Sequence, residues 1–221
     1  MIKLDFIYSE KEDVDRILYT ISKWGFYQQN YDVNQIRLPA KLDRAKIKEC
    51  LKDEIMDGVR KEYLNNSTKI YKKVEQEILD NWQKVSEKIE EVSVETGINF
   101  PGELKIQLTC YGIGGGWWLP NKIILVATRF YPLATIVHEL IHLTIEDWIQ
   151  KYKVGQAQKE RIVDLFMSKY FGDLFPDRLI PKWSQQVYQK IAYQEIDEIF
   201  EKFEPNMETV IEKVSKIKHI I

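Results

Sequence analysis

Residues 138 to 142 read His-Glu-Leu-Ile-His, set in the apolar run Thr135-Ile136-Val137-His138-Glu139-Leu140-Ile141-His142-Leu143. In a helix, residues i and i+4 stand one above the other on the same face. His138 and His142 can then grip one metal ion, while Glu139, one step round, reaches a water molecule beside it. The chain has only three histidines, and two of them fall at this spacing. Two imidazoles do not complete a catalytic zinc site, which usually has three protein ligands. Glu146 lies about 12 Å of helical rise from His138 and cannot close a tetrahedral site with it. The third ligand must come from another element. Glu160 is the best candidate, in Gln158-Lys-Glu-Arg-Ile-Val-Asp164, and Asp164 at i+4 shares its helical face.

This constellation resembles the gluzincin branch of the zincin metallopeptidases, the thermolysin-like proteins and their relatives. In that branch H-E-x-x-H is followed on a second helix by a ligating Glu, often with an Asp four residues on. The likeness rests mainly on residues 104 to 170, together with an order of long helix, strand pair, active-site helix and glutamate helix. It implies a Zn2+ ion held by His138, His142 and Glu160. It also implies Glu139 as general base and Asp164 hydrogen-bonded to one ligating histidine. The implied activity is hydrolysis of peptide bonds, and the implied partner is a peptide or protein substrate.

Some positions depart from that pattern. Seventeen residues separate His142 from Glu160, slightly fewer than in the better-known families, and Lys159 stands where an Asn often precedes the ligating Glu. No downstream histidine suits an oxyanion, because His219 lies two residues from the end of the sequence. Tyr188 or Tyr193 is the candidate donor for that role, as tyrosine is in some gluzincins. Cys110 is an alternative third ligand on loose analogy with peptide deformylases, whose other signatures are missing; the competing reading is a small buried hydrophobe.

In zincins the strand before the active-site helix binds an extended substrate by β-augmentation, which implicates Gly116, Trp117 and Trp118. Adjacent tryptophans on a strand point to opposite faces, so one can pack inward while the other lines the cleft. Two structural tryptophans flanking a hairpin are the competing reading. The run Gly114-Gly115-Gly116 would supply mobility to either, and the absence of a G-x-x-x-x-G-K-S/T pattern argues against a phosphate cradle.

The elements that must position these residues follow from periodicity. Strands are expected at Ile2 to Tyr8, Tyr31 to Leu38, Leu104 to Tyr111 and Lys122 to Thr128. Residues 112 to 121 are read as the connection between the last two. Helices are expected near Glu10 to Trp24 with Ser9 as cap, Leu42 to Tyr63, Ser67 to Glu95, and from Pro132 through the histidine motif. Further helices are expected at Gln156 to Phe171, Lys182 to Phe203 and Met207 to Lys218. The fold class is therefore α+β: a mostly helical, zincin-like domain (65–221) with a small mixed β-sheet, preceded by a small αβ N-terminal region (1–64).

Composition narrows the function classes. With 32 basic and 34 acidic residues well mixed and a net charge of −2, there is no basic stripe, and nucleic acid is not an expected partner. No apolar stretch approaches the roughly 18 residues needed to span a bilayer; the longest, Ile123 to Val137, is broken by Arg129 and Pro132. The N-terminal residues lack the long apolar core and cleavage site of a signal peptide, and the two cysteines form no C-x-x-C. A cytoplasmic peptidase is the expectation. Two rivals are a latent or inactive zincin-fold protein acting as a regulatory or interaction module, and a helical interaction protein whose motif is accidental.

Overall fold

The computed structural model describes residues 1–30, 32–128, 131–176 and 193–217. Its elements in chain order are β1 (Lys3–Ile7), α1 (Glu10–Ser22), α2 (Trp24–Asn30), α3 (Lys52–Glu62), α4 (Thr68–Thr96), β2 (Glu103–Thr109), β3 (Gly115–Trp118), β4 (Lys122–Val126), α5 (Pro132–Tyr152), α6 (Gln156–Phe171), α7 (Tyr193–Phe203) and α8 (Met207–Val214). The class is α+β.

Local chemistry sets the helix ends. Ser9 caps α1, its side chain accepting from the Glu12 N–H, and acidic Glu10, Glu12 and Asp13 occupy the first turn. α4 buries Tyr71, Val74, Ile78, Trp82, Val85, Ile89 and Val92 at helical spacing. It stops at Gly97, which takes the left-handed conformation (φ 70°) that a glycine adopts without strain. Pro132 opens α5 at its first turn, and α5 turns into α6 through Lys153, Val154 and Gly155 alone.

The sheet has four strands in the order β1-β2-β4-β3. β1 pairs with β2 and β2 with β4 in parallel, while β3 pairs antiparallel with β4 and forms an edge. Alternation along β2 divides the protein into two packed faces. Leu104, Ile106 and Leu108 join the large core with α4, α5, α6 and α8. Gln107 and Thr109 face the other way, toward α1, to which they are hydrogen-bonded. On that side a smaller core gathers Val14, Ile17, Trp24, Ile36, Ile47, Ile55 and Val59, together with Tyr111 and Ile113 from the bend after β2. The N-terminal region therefore adds β1 to the same sheet that precedes the histidine helix.

Three segments differ from expectation. Tyr31 to Leu38 forms no strand among its described residues: Val33–Gln35 is a short 3-10 turn, and only Arg37 pairs, as an isolated bridge to Gly112. The segment instead delivers Ile36 to the smaller core. Gly115–Trp118, read as connection, is strand β3, because its backbone completes the antiparallel ladder with β4. The long helix expected from Leu42 breaks into a 3-10 turn, Arg44–Glu49, and then α3.

A buried carboxylate ties α1 to the sheet and to α4. Asp13 is fully buried, accepting from Tyr71 Oη at 2.6 Å and Thr109 Oγ1 at 2.7 Å. Burial pushes its carboxyl from 3.8 up to about 6, against the pull of those two hydroxyls. For a carboxyl raised on folding, the stabilising contribution is complete below the unfolded value and is lost as pH climbs through the folded one. Asp13→Asn should therefore gain on the native protein by up to about 3 kcal/mol between pH 4 and 7. Urea unfolding of both proteins across that range checks it; a constant gap would contradict the assignment.

Candidate metal centre

α5 carries the histidines on a helix that is apolar almost all round. Ala134, Ile136, Val137, Leu140, Ile141, Ile145 and Ile149 are buried about it, so its rotation is fixed by packing against α4, β4 and α6. The face left over presents His138 and His142. Their Nε2 atoms stand 3.1 Å apart, and Glu160 Oε2, from the facing turn of α6, lies 3.3 Å from His142 Nε2 and 3.6 Å from His138 Nε2. His142 is 2% exposed. Three electron-pair donors thus converge on one point, a grouping that fits a metal ion. Zinc bonds of about 2.0–2.2 Å in a tetrahedron would set such donors roughly 3.4 Å apart. The set of two imidazole nitrogens and one carboxylate oxygen suits zinc by both spacing and chemistry.

Electrostatics support the convergence. Burial alone would raise the Glu160 carboxyl, but the charge of His142 and hydrogen bonds from both imidazoles outweigh it and hold the group well below 4.5. Gln156 Nε2 donates to the other oxygen, Oε1, at 2.6 Å, which fixes the rotamer. Asp164 Oδ1 stands 4.0 Å from His138 Nδ1, on the correct side yet beyond hydrogen-bond length. Burial lifts its carboxyl to about 6, with His138 opposing. The buried Nδ1 of His142 has no hydrogen-bond partner among the described residues.

The charged run Lys159-Glu160-Arg161 divides three ways. Glu160 turns to the histidines, while Arg161 clasps Asp197 on α7 with two hydrogen bonds, of 2.7 and 2.5 Å. Lys159 Nζ lies 3.6 Å from Glu146 Oε2 and over the Trp117 ring at 5.4 Å. Glu146, too far along α5 to join the cluster, is thereby engaged elsewhere. Cys110 is not among the grouped ligands; burial raises its thiol, as for a structural cysteine.

Glu139 points to a different neighbour. A methyl group built on Gly115 would stand 2.5 Å from Glu139 Oε1, 2.8 Å from Thr135 Cγ2 and 2.9 Å from Glu139 Cγ. The edge strand therefore passes directly over the carboxylate, and only a glycine lets it do so. The alternation of β3 places Trp117 on this side and Trp118 on the other, where Trp118 meets Tyr19 of α1 edge-on at 5.5 Å and is 38% exposed. Gly116 likewise faces α1, its added Cβ lying 3.9 Å from Arg16 Nη1. Tyr188 lies outside the described residues, and of Tyr193 the structure describes only its place as the first residue of α7.

The sequence reading passed over Gly115, Thr135 and Arg16. The glycine run was the one available signal for Gly115, where the missing side chain permits close approach. No family model matches the chain, and neither a curated protein nor a solved structure does.

Proposed function

We propose that this protein is a zinc-dependent peptidase of the gluzincin type. The convergence of His138, His142 and Glu160 from two adjoining helices is the observation that supports the reading most directly. These three residues would hold the ion. When bound, zinc supplies Lewis acidity, drawing electron density from a carbonyl oxygen and lowering the pKa of a water molecule toward neutrality. Glu139 is the general base: its carboxylate takes the proton of the attacking water and hands it to the departing amine as the C–N bond breaks. Asp164 steadies the His138 ring from behind. Tyrosine, at Tyr188 or Tyr193, is the proposed donor to the oxyanion.

An extended peptide would add to the outer edge of β3 as a further antiparallel or parallel strand, its backbone pairing with Gly116 and its neighbours. Trp117 then lies on the face shared with the metal cluster, and Trp118 contributes from the α1 side. No described helix is long and apolar enough to cross a membrane, so the proposed substrate is a peptide or protein met in water.

The test is metal stoichiometry with one ligand removed. Native protein dialysed against zinc should retain one ion per chain and cleave unfolded polypeptide in a way that 1,10-phenanthroline stops and added zinc restores. Glu160→Ala should weaken zinc binding by about 100- to 1,000-fold, since a complete four-ligand site is worth about 10–16 kcal/mol. Absence of stoichiometric zinc in the native protein, or equal affinity in Glu160→Ala, would overturn the proposal.

A further inference from the structure

Arg16 lies on α1, in the N-terminal region and on the opposite face of the sheet from α5, yet it reaches the edge of the candidate centre. It is 4% exposed. A methyl on Gly112 would stand 2.7 Å from its Nε and 3.1 Å from its Nη2, and one on Gly116 would stand 3.9 Å from its Nη1. Nη2 is 3.4 Å from the Ile113 carbonyl oxygen. The guanidinium therefore lies against Gly112 and the Ile113 carbonyl and comes close to Gly116, at both ends of the bend 112–116. Gly112, with φ 89°, is itself pinned by paired backbone hydrogen bonds to Arg37, of 2.8 and 2.9 Å. On the other side of this bend, Gly115 lies close over the Glu139 carboxylate.

No close ion pair accounts for the burial of this arginine. Among the described residues no carboxylate lies within salt-bridge distance of Arg16 and its buried Nε has no hydrogen-bond partner; burial disfavours its charge, while Tyr27, Tyr19 and Glu139 favour it. The Tyr19 ring lies 5.8 Å from its guanidinium carbon, a cation–π contact. Burying a guanidinium without a close counter-ion costs several kcal/mol. Leucine or methionine would pack α1 on the sheet without that cost, but neither would span the bend and bond to its carbonyl.

We infer that Arg16 is a positioning residue for the Glu139 base, its guanidinium shaping the bend 112–116 so that Gly115 holds the carboxylate in place. The inference rests on the peptidase reading for its consequence in turnover, whereas the hold on the bend is a property of the chain alone. It makes the N-terminal region a working part of the site: α1 sets the bend, the bend sets Glu139, and none of the three metal ligands depends on it.

The experiment joins amide exchange to kinetics in the full chain. In Arg16→Ala, the amides of residues 113–116 should exchange faster while zinc stoichiometry is kept. kcat should fall roughly 30- to 100-fold with KM within about threefold, as a displacement near 1 Å predicts. Guanidinium chloride at tens of millimolar should enter the vacated space, slow exchange in the bend again and restore part of kcat. Arg16→Lys, a milder change should the alanine variant not fold, cannot reach both ends of the bend and should show the same split between kcat and KM. Ile17→Ala, buried on the same helix, should lower Tm without that loss of kcat. Unchanged exchange in the bend, no response to guanidinium, or an equal loss of kcat in Ile17→Ala would overturn the inference. Native protein that binds no zinc and cuts no peptide would instead defeat the peptidase reading, leaving exchange and guanidinium to decide the role of Arg16.

Discussion

A Glu139→Gln protein is expected to carry the same one zinc per chain as the native protein while its kcat drops about 100- to 10,000-fold. The amide occupies the volume of the carboxylate but cannot accept a proton, and general-base assistance is typically worth that factor. Retention of metal follows because Glu139 is not among the three converging donors. Packing should survive as well, since α5 is fixed by its buried aliphatic residues rather than by this side chain. Elemental analysis beside single-turnover hydrolysis of a fluorogenic peptide would read both quantities. Undiminished turnover in the zinc-loaded variant would falsify the role given to Glu139.

The second large effect comes from a residue with no reactive group. Gly115→Ala should lower kcat about 100-fold or more while leaving zinc in place, because the new methyl meets Glu139 Oε1 at 2.5 Å and Thr135 Cγ2 at 2.8 Å. Backbone strain is not the objection, since Gly115 has no positive φ and pairs regularly with Leu125. The far end of a flexible glutamate yields more easily than the backbone of a paired strand, so the carboxylate is what moves. Parallel measurements of metal content, Tm and kcat distinguish this from unfolding: a bound ion, a modest fall in Tm and a large loss of kcat are expected. Full activity in Gly115→Ala would show that the strand gives way instead, and that the close approach has no part in turnover.

What could be read from the residues alone, and what could not, divides along physical lines. His138 and His142 were legible because helical geometry makes four-residue spacing a statement about space. Glu160 could be nominated because Asp164 repeats its face, and because Glu146 lies a full turn too far along to serve. The apolar run around the motif foretold a buried helix, and α4 was plain from the regular return of Ile and Val. Strand β3 was hidden, since two glycines and two tryptophans carry no alternation of apolar with polar. Its pairing comes from β4, whose partner cannot be guessed from either segment. Tyr31 to Leu38 misled for the converse reason: β-favouring residues there answer to the smaller core, and tertiary packing overrode propensity. Arg16 carried no signal at all. A lone arginine on an amphipathic helix reads as a solvated charge, and only the path of the chain after β2 turns it inward.

Links between helices at a protein surface commonly tolerate insertion. The three-residue turn Lys153–Gly155 is an exception built into this chain. It closes with Lys153 in the left-handed region (φ 55°) and the Val154 N–H bonded to the Ile149 carbonyl at 3.1 Å. That turn works as a ruler: its length alone decides which rung of α6 stands level with the two imidazoles. One added residue would rotate α6 by about 100° or slide it along its neighbour, sparing both helices and dispersing the ligands. Variation in this lineage should therefore gather at the chain's other connections, and this one should keep its length when its residues change.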